Sequence, residues 1–324
     1  MKVLLTIAKK EYTDATRNAL FLTLAAFLLA LVGISILVAS MDFGSQVAQY
    51  RAALAQLTQS ERAGAVLATP QYYPLQMLRG TIEYLEIIGA IIAIVLGYLS
   101  IAKEKASNTS RLLLTRPVGR LGLVGGKVLG NSALLISLLA IIYLFAIVSV
   151  TSIGHIALSG AESLNLMLAM IFSYVYLLFF FCFAAALALL VRDLSRALML
   201  AFSLWLVFVL IIPQVGDTMD PDNQVPGGFF ASMHVTQDQQ TQIIGNFRRY
   251  ESLRNALEVS SIEKQYERLT FALLGIKPLY NGKPLGYILR DKWLEMTLLV
   301  TFYILGITAA YILATNRRIM ISSP

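Results

Sequence analysis

Cysteine is almost absent from the 324-residue chain: Cys182 stands alone, inside an apolar run. No intrachain disulfide can form, and cysteine-based zinc or iron–sulfur binding is excluded. Histidine is nearly as scarce, and His155 and His234 by themselves make a poor metal site. Charge is also thin, at 14% of residues against roughly a quarter in soluble domains. The charges that exist sit at the ends of apolar runs, not on one basic segment with interleaved aromatics. The net charge of +7 therefore gives no case for a nucleic-acid partner.

Apolar residues are what the chain has in excess, 57% of the total, with a mean hydropathy of +0.69. They fall into six runs, near 19–40, 82–102, 128–152, 163–191, 194–213 and 293–315. About twenty helical residues match the thickness of a bilayer's hydrocarbon, and only helices satisfy their own backbone there. The expected fold is an all-α membrane protein with six transmembrane helices. The first run is too long for a signal-peptide core, and eighteen mostly polar residues precede it, so it is expected to be a span and not a cleaved leader. The turn around Arg192-Asp193-Leu194-Ser195-Arg196 makes the fourth and fifth runs an antiparallel hairpin.

Basic residues orient the bundle. With both termini cytoplasmic, the inner segments hold fourteen basic and four acidic residues, net +10. The outer segments hold twelve and fifteen, net −3. The expected location is a cell (inner) membrane, multi-pass, with both termini in the cytoplasm. The domains that follow are an amphipathic interfacial helix over 1–18, spans one to five over 19–213, an extracytoplasmic helical segment over 214–292, and the last span with a short tail over 293–324. Within the second of these lie an outer segment, 41–81, with a helix expected from Ser45 to about Leu67, and a cytoplasmic loop, 103–127.

The N-terminal stretch gathers Val3, Leu4, Ile7, Ala8, Tyr12 and Ala15 on one face, with lysines largely off it. Two readings stand, a topology anchor or a lever beside a cytoplasmic partner. In 214–292, Ile243, Ile244, Phe247, Tyr250, Leu253 and Leu257 follow a helical period. Ser260 with Glu263 reads as a capping box opening a second helix toward Leu274, and Asn281-Gly282 reads as a tight turn. These two helices are expected to pack on each other and on 41–81 as an outer lid, with Tyr250, Leu253, Leu257, Tyr266 and Leu269 at the contact.

The loop after the second run carries the most information. It has a polar start at Glu104, three consecutive leucines (Leu112, Leu113, Leu114), and a stop at Arg116-Pro117. Three leucines on a cytoplasmic loop need a cover, from a partner or from lipid. This loop resembles the coupling segment of permease subunits of type-two ABC transporters, which read Glu-Arg-x-x-Gly-Thr-x-x-x-Leu-Leu-x-x-Pro-Val-x-Arg and then Gly-Lys. Glu104, Thr109, Leu113, Leu114, Pro117, Val118, Arg120, Gly126 and Lys127 match as they stand, and Asn108 replaces the usual glycine. The approach to the second span, Pro74 through Leu78-Arg79-Gly80 to Tyr84-Leu85-Glu86-Ile87-Ile88-Gly89, resembles one branch of that family. So does Gly97-Tyr98-Leu99-Ser100-Ile101.

The resemblance implies an exporter permease that works as a homo- or heterodimer. A separate cytoplasmic ATP-binding subunit would be docked through Glu104, Thr109, Leu112, Leu113, Leu114, Arg116, Pro117 and Arg120. Alternatives are the membrane component of an ABC-coupled assembly or maturation machine, or a stand-alone secondary transporter. No catalytic residue or cofactor is expected in this chain; ATP and magnesium would sit on the partner. Gly125-Gly126-Lys127-Val128 lacks the upstream glycine and the Ser/Thr of a phosphate loop and reads instead as a helix start. Glu83 and Glu86, three apart near the outer end of the second span, are candidates for a translocation path, with Arg79 a possible partner for Glu83.

Overall fold

The computed structural model describes residues 2–59, 73–106, 120–152, 158–220, 229–233, 235 and 237–315. Among these residues every regular element is helical. Six helical stretches are long and apolar enough to span a membrane: Ala19–Ser45, Pro74–Lys103, Gly122–Thr151, Gly160–Leu190, Leu194–Met219 and Trp293–Ala314. They are called spans 1 to 6 below.

Helix α1 (Lys2–Thr16) precedes α2 (Ala19–Gln59). The break between them has a local cause: the Asn18 side chain accepts from the backbone N–H groups of Leu20 and Phe21 at 3.0 and 3.3 Å, capping α2. Span 1 does not end with its apolar run. It continues as one helix to Gln59, so the helix expected from Ser45 to about Leu67 is, over its described residues, an extension of span 1.

Span 2 is assembled from α3 (Arg79–Tyr84), a π-helical turn at Leu85–Gly89, and α4 (Ala90–Ala106). Span 3 lies in α5 (Arg120–Ser152) and span 4 is α6 (Gly160–Leu190). A capping box opens α6: Glu162 N–H donates to Ser159 Oγ at 3.3 Å, and Ser159 N–H to Glu162 Oε2 at 2.7 Å. Span 5 repeats the pattern of span 2, with α7 (Leu194–Trp205), a π turn at Leu206–Ile211, and α8 (Ile212–Met219). Asp193 caps α7 through the N–H groups of Ser195 and Arg196, which makes the expected short hairpin.

After span 5 come α9 (Phe229–Ser232), α10 (Gln237–Asn246), α11 (Arg248–Ser260), α12 (Ile262–Leu273) and α13 (Leu285–Asp291). Span 6 lies in α14 (Trp293–Thr315). The Asn281-Gly282 turn forms as expected, with Gly282 at φ +67°.

Span 4 is the axis of the bundle. It packs against α4, α14, α5, α7 and α12, and Tyr176, Phe180, Phe181 and Cys182 are buried in its contacts. Apolar side chains on the periphery, among them Phe27, Leu144, Met199, Leu305 and Ile312, stay exposed. That is the pattern of a bundle whose outer surface meets lipid.

The expected lid takes a different form. Helix α12 does not lie across the bundle; it is inserted into it, against α14, α6, α3 and the π turns of spans 2 and 5. Tyr266 and Leu269 are fully buried there, while Tyr250 and Leu253 on α11 are exposed. The single helix expected over Ile243–Leu257 is broken at Phe247 into α10 and α11, and α11 is braced on α8. The cap of α12 is also one residue later than expected. Ser261 accepts from Lys264 N–H at 3.4 Å, whereas the Ser260 hydroxyl turns back to the Leu257 carbonyl inside α11.

Candidate functional site: the coupling stems and the inserted helix

The amphipathic helix α1 lies along α5 because glycines let it approach. A Cβ on Gly126 would stand 2.7 Å from Ile7 Cβ, and one on Gly130 would meet the Ala8 carbonyl oxygen and Glu11 Cβ. Small residues four apart on a helix are the usual means of close backbone approach in membranes. Gly126-Lys127 is therefore not a helix start, since α5 begins at Arg120. The glycine is a contact face, and Lys127 is a buried cation. Its Nζ lies 2.9 Å from Glu11 Oε1 on α1 and donates at 2.6 Å to the Ser100 carbonyl of α4.

A second lysine does similar work on the other stem. Lys105 Nζ donates to the carbonyls of Ala188, Leu189 and Val191 at 2.7, 3.2 and 3.0 Å. These are open carbonyls at the C-terminal end of span 4, where a cation also meets the negative pole of the helix. Both stems of the 107–119 connection are thus fastened, one to span 4 and one to α1 and span 2. Of the residues expected to couple, Glu104 lies in the last turn of α4 and Arg120 opens α5. Thr109, Leu112, Leu113, Leu114, Arg116 and Pro117 lie outside the described residues.

At the opposite end of the bundle, Glu83 and Glu86 part company. Glu83 Oε1 is 2.8 Å from Arg79 Nε, an exposed pair one turn apart, as expected. Glu86 is buried, 6% exposed, and its Oε1 has no hydrogen-bond partner among the described residues. A spacing of three would align them on an α-helix, but Glu86 falls within the wider π turn, which rotates it inward. The π turn also frees a carbonyl: Tyr176 OH of span 4 donates to Glu86 O at 2.9 Å. Span 5 is served in the same way, with Ser261 Oγ donating to the Phe208 carbonyl at 2.7 Å.

Helix α12 fills the space between these two turns. Tyr266 stacks on Tyr176 with ring centroids 4.4 Å apart, and its hydroxyl is 2.7 Å from Ser173 Oγ. Glu263 is 6% exposed, with Oε2 unpartnered among the described residues. Burial, then the nearby Glu267 and Asp217, push its carboxyl up to about 8 against the opposing pull of Lys264. Burial works against the Lys264 ammonium, but Glu267 and Glu263 outweigh it and hold its pKa above the ordinary value. Lys264 Nζ is 2.6 Å from Glu267 Oε2 and 2.9 Å from Asp217 Oδ1. Beside it opens a polar cavity of about 360 Å³, walled by Arg79, Asp217, Arg254, Glu258 and Arg268 among others. The sequence marked Glu263 only as the acid of a capping box, and this helix only as part of an outer lid. The available signal was a Glu-Lys pair at the start of a helix otherwise rich in apolar residues, which also describes an ordinary solvated turn.

Six spans, of which 2, 3, 5 and 6 pack against span 4, with an amphipathic helix fastened along α5, define a multi-pass membrane component. The profile of the ABC-2 family transporter protein matches residues 5–316, nearly the whole chain. The chain belongs to the ABC-2 family of transporter membrane proteins. No curated protein matches it. The family is a transport membrane component and implies association with an ATP-binding subunit.

Proposed function

We propose that this chain is the permease subunit of an ATP-driven exporter, joined through the 104–120 connection to a separate ATP-hydrolysing subunit and paired with a second permease chain. The reading places both termini in the cytoplasm of a cell-membrane bundle, with ATP and magnesium on the partner. What carries it is the fastening of both stems of that connection, by Lys105 to the end of span 4 and by Lys127 to α1 and span 2. A displacement applied to a loop held in this way moves four helices together and is not lost in the loop itself. The match to the coupling-segment pattern, with Leu112, Leu113 and Leu114 as the docking side chains, supports the same reading. Of the two acids expected on a translocation path, Glu83 is taken up by Arg79, and Glu86 faces inward toward α12.

The test is Leu113→Asp. A carboxylate forced into an apolar contact costs several kcal/mol, about 3 or more. The variant is expected to insert and remain folded but to lose its ATPase subunit on co-purification. Retained co-purification with unchanged ATP-dependent transport would overturn the docking assignment.

A further inference from the structure

The contact between span 2 and α12 buries two carboxylates that no ion pair among the described residues takes up. Glu86 on the π turn and Glu263 on α12 are each 6% exposed, and each leaves a carboxylate oxygen unpartnered among the described residues. The charged groups that face them are Glu83 from α3, Lys264 and Glu267 from α12, and Asp217 from α8. Lys264 is already held by Asp217 and Glu267, and Glu83 by Arg79. Glu83, Asp217 and Glu267 thus each have a basic partner, with Lys277 also beside Glu267, whereas Glu86 and Glu263 enter no ion pair among the described residues. On the other elements around α12, Glu258 of α11 is paired with Arg268, Glu295 of α14 with Lys292, and Asp291 of α13 accepts from Tyr280 OH at 2.6 Å. Arg290 of α13 is exposed. From span 4 come Tyr176, whose hydroxyl is spent on the Glu86 carbonyl, and Ser173, which is bonded to Tyr266.

Two adjacent buried carboxylates cannot both be ionised without a compensating charge, and the least demanding compensation is a proton. We propose that Glu86 and Glu263 form a proton-binding pair that latches α12 between the spans and lets it loosen when the proton leaves. The geometry gives the latch something to release. Helix α12 is tied to the spans by the Ser173–Tyr266 hydroxyl pair, the Tyr176–Tyr266 stack, the Ser261–Phe208 bond and the Lys264–Asp217 ion pair, and Phe247, Tyr250 and Leu253 beside it on the α10–α11 stretch are exposed. The inference does not depend on the transport reading, because it concerns the seat of α12 and needs no partner subunit.

The sign follows from linkage. The Glu263 carboxyl stands at about 8 in the seated state, against about 4.5 when solvated. The seated helix therefore retains a proton that the released helix has lost. Release is suppressed below roughly pH 4.5, grows by up to about tenfold per pH unit above it, and levels off beyond about pH 8.

The experiment uses the full chain in lipid nanodiscs with Cys182→Ala. A cysteine at buried position 269 is labelled with a small thiol reagent between roughly pH 5.5 and 9, and its rate is divided by that of a cysteine at exposed position 253. The expected ratio rises steeply up to about pH 8 and then flattens. In Glu263→Gln it is low and flat, because the amide stays neutral. Hydrogen exchange of the 262–273 amides, corrected for the intrinsic rate, gives the same curve without a cysteine in the helix. Glu86→Gln serves as the second variant and is expected to move the inflection to lower pH. A ratio independent of pH in the parent chain, or an unchanged slope in both glutamine variants, overturns the proposal. So does closure of position 269 by added calcium at constant pH, which would put a metal ion in the proton's place.

Discussion

Lys127 shows how one side chain fastens three elements at a single point. Its ammonium is buried between three elements, and Glu11 on α1, whose side chain is 12% exposed, supplies a counter-charge. Removing one partner strands the other. Lys127→Met is therefore expected to lower stability by about 3–5 kcal/mol, with much of the loss recovered in the double variant Glu11→Gln/Lys127→Met. Thermal unfolding of the full chain in detergent checks this; equal losses in the single and double variants would show that the pair is not the cause. Gly126 and Gly130 act by what they lack. Gly126→Val has no room beside Ile7 and is expected to lift α1, exposing a cysteine placed at buried Ala15 to thiol reagents in a Cys182→Ala background. The Gly-Lys dipeptide was visible in the sequence, but its use was not. A glycine in a helix looks the same whether it starts, kinks or receives a neighbour.

The two π turns, in spans 2 and 5, are the features that make room for α12 and bind it. Each frees a carbonyl, and each is answered by a hydroxyl from another element, Tyr176 or Ser261. A buried carbonyl left without its donor costs about 1–3 kcal/mol. Tyr176→Phe is thus expected to destabilise the bundle by that amount while keeping the ring stack on Tyr266. Ser261→Ala is expected to cost somewhat more, because it also removes the cap of α12. Chemical denaturation that detects no difference for either variant would remove these bonds from the account. Neither turn leaves a mark in the residue pattern, since a π turn inserts into an apolar run without changing its composition. The helices of 214–292 were legible from their period, but their partners were not: α11 and α12 carry similar signals, and only α12 is swallowed by the bundle.

For the molecule as a whole, the asymmetry of charge gives the orientation a direct test. Single cysteines at Lys9, Thr115 and Arg318 are expected to be protected from an impermeant reagent in intact cells, and those at Gln56 and Gln240 to react. External labelling at Thr115 would invert the topology. Six spans, the span 4–5 hairpin and the reach of the family resemblance were all readable in advance, because a bilayer imposes length and apolarity on every crossing segment independently of its neighbours.

What the sequence determined by itself was the set of properties that each segment carries alone: span number, helical character, the amphipathic N-terminus, the coupling-segment pattern, and the Arg79–Glu83 pair one turn apart. What only the tertiary structure decided was which of these segments meet. The seating of α12, the burial of Glu86 and Glu263 where span 2 meets that helix, and the fastening of Lys105 and Lys127 all join residues from 27 to about 180 positions apart. No local rule reaches that far along the chain. The energies involved come from desolvation and close packing, and those are properties of an environment that exists only once the bundle has formed.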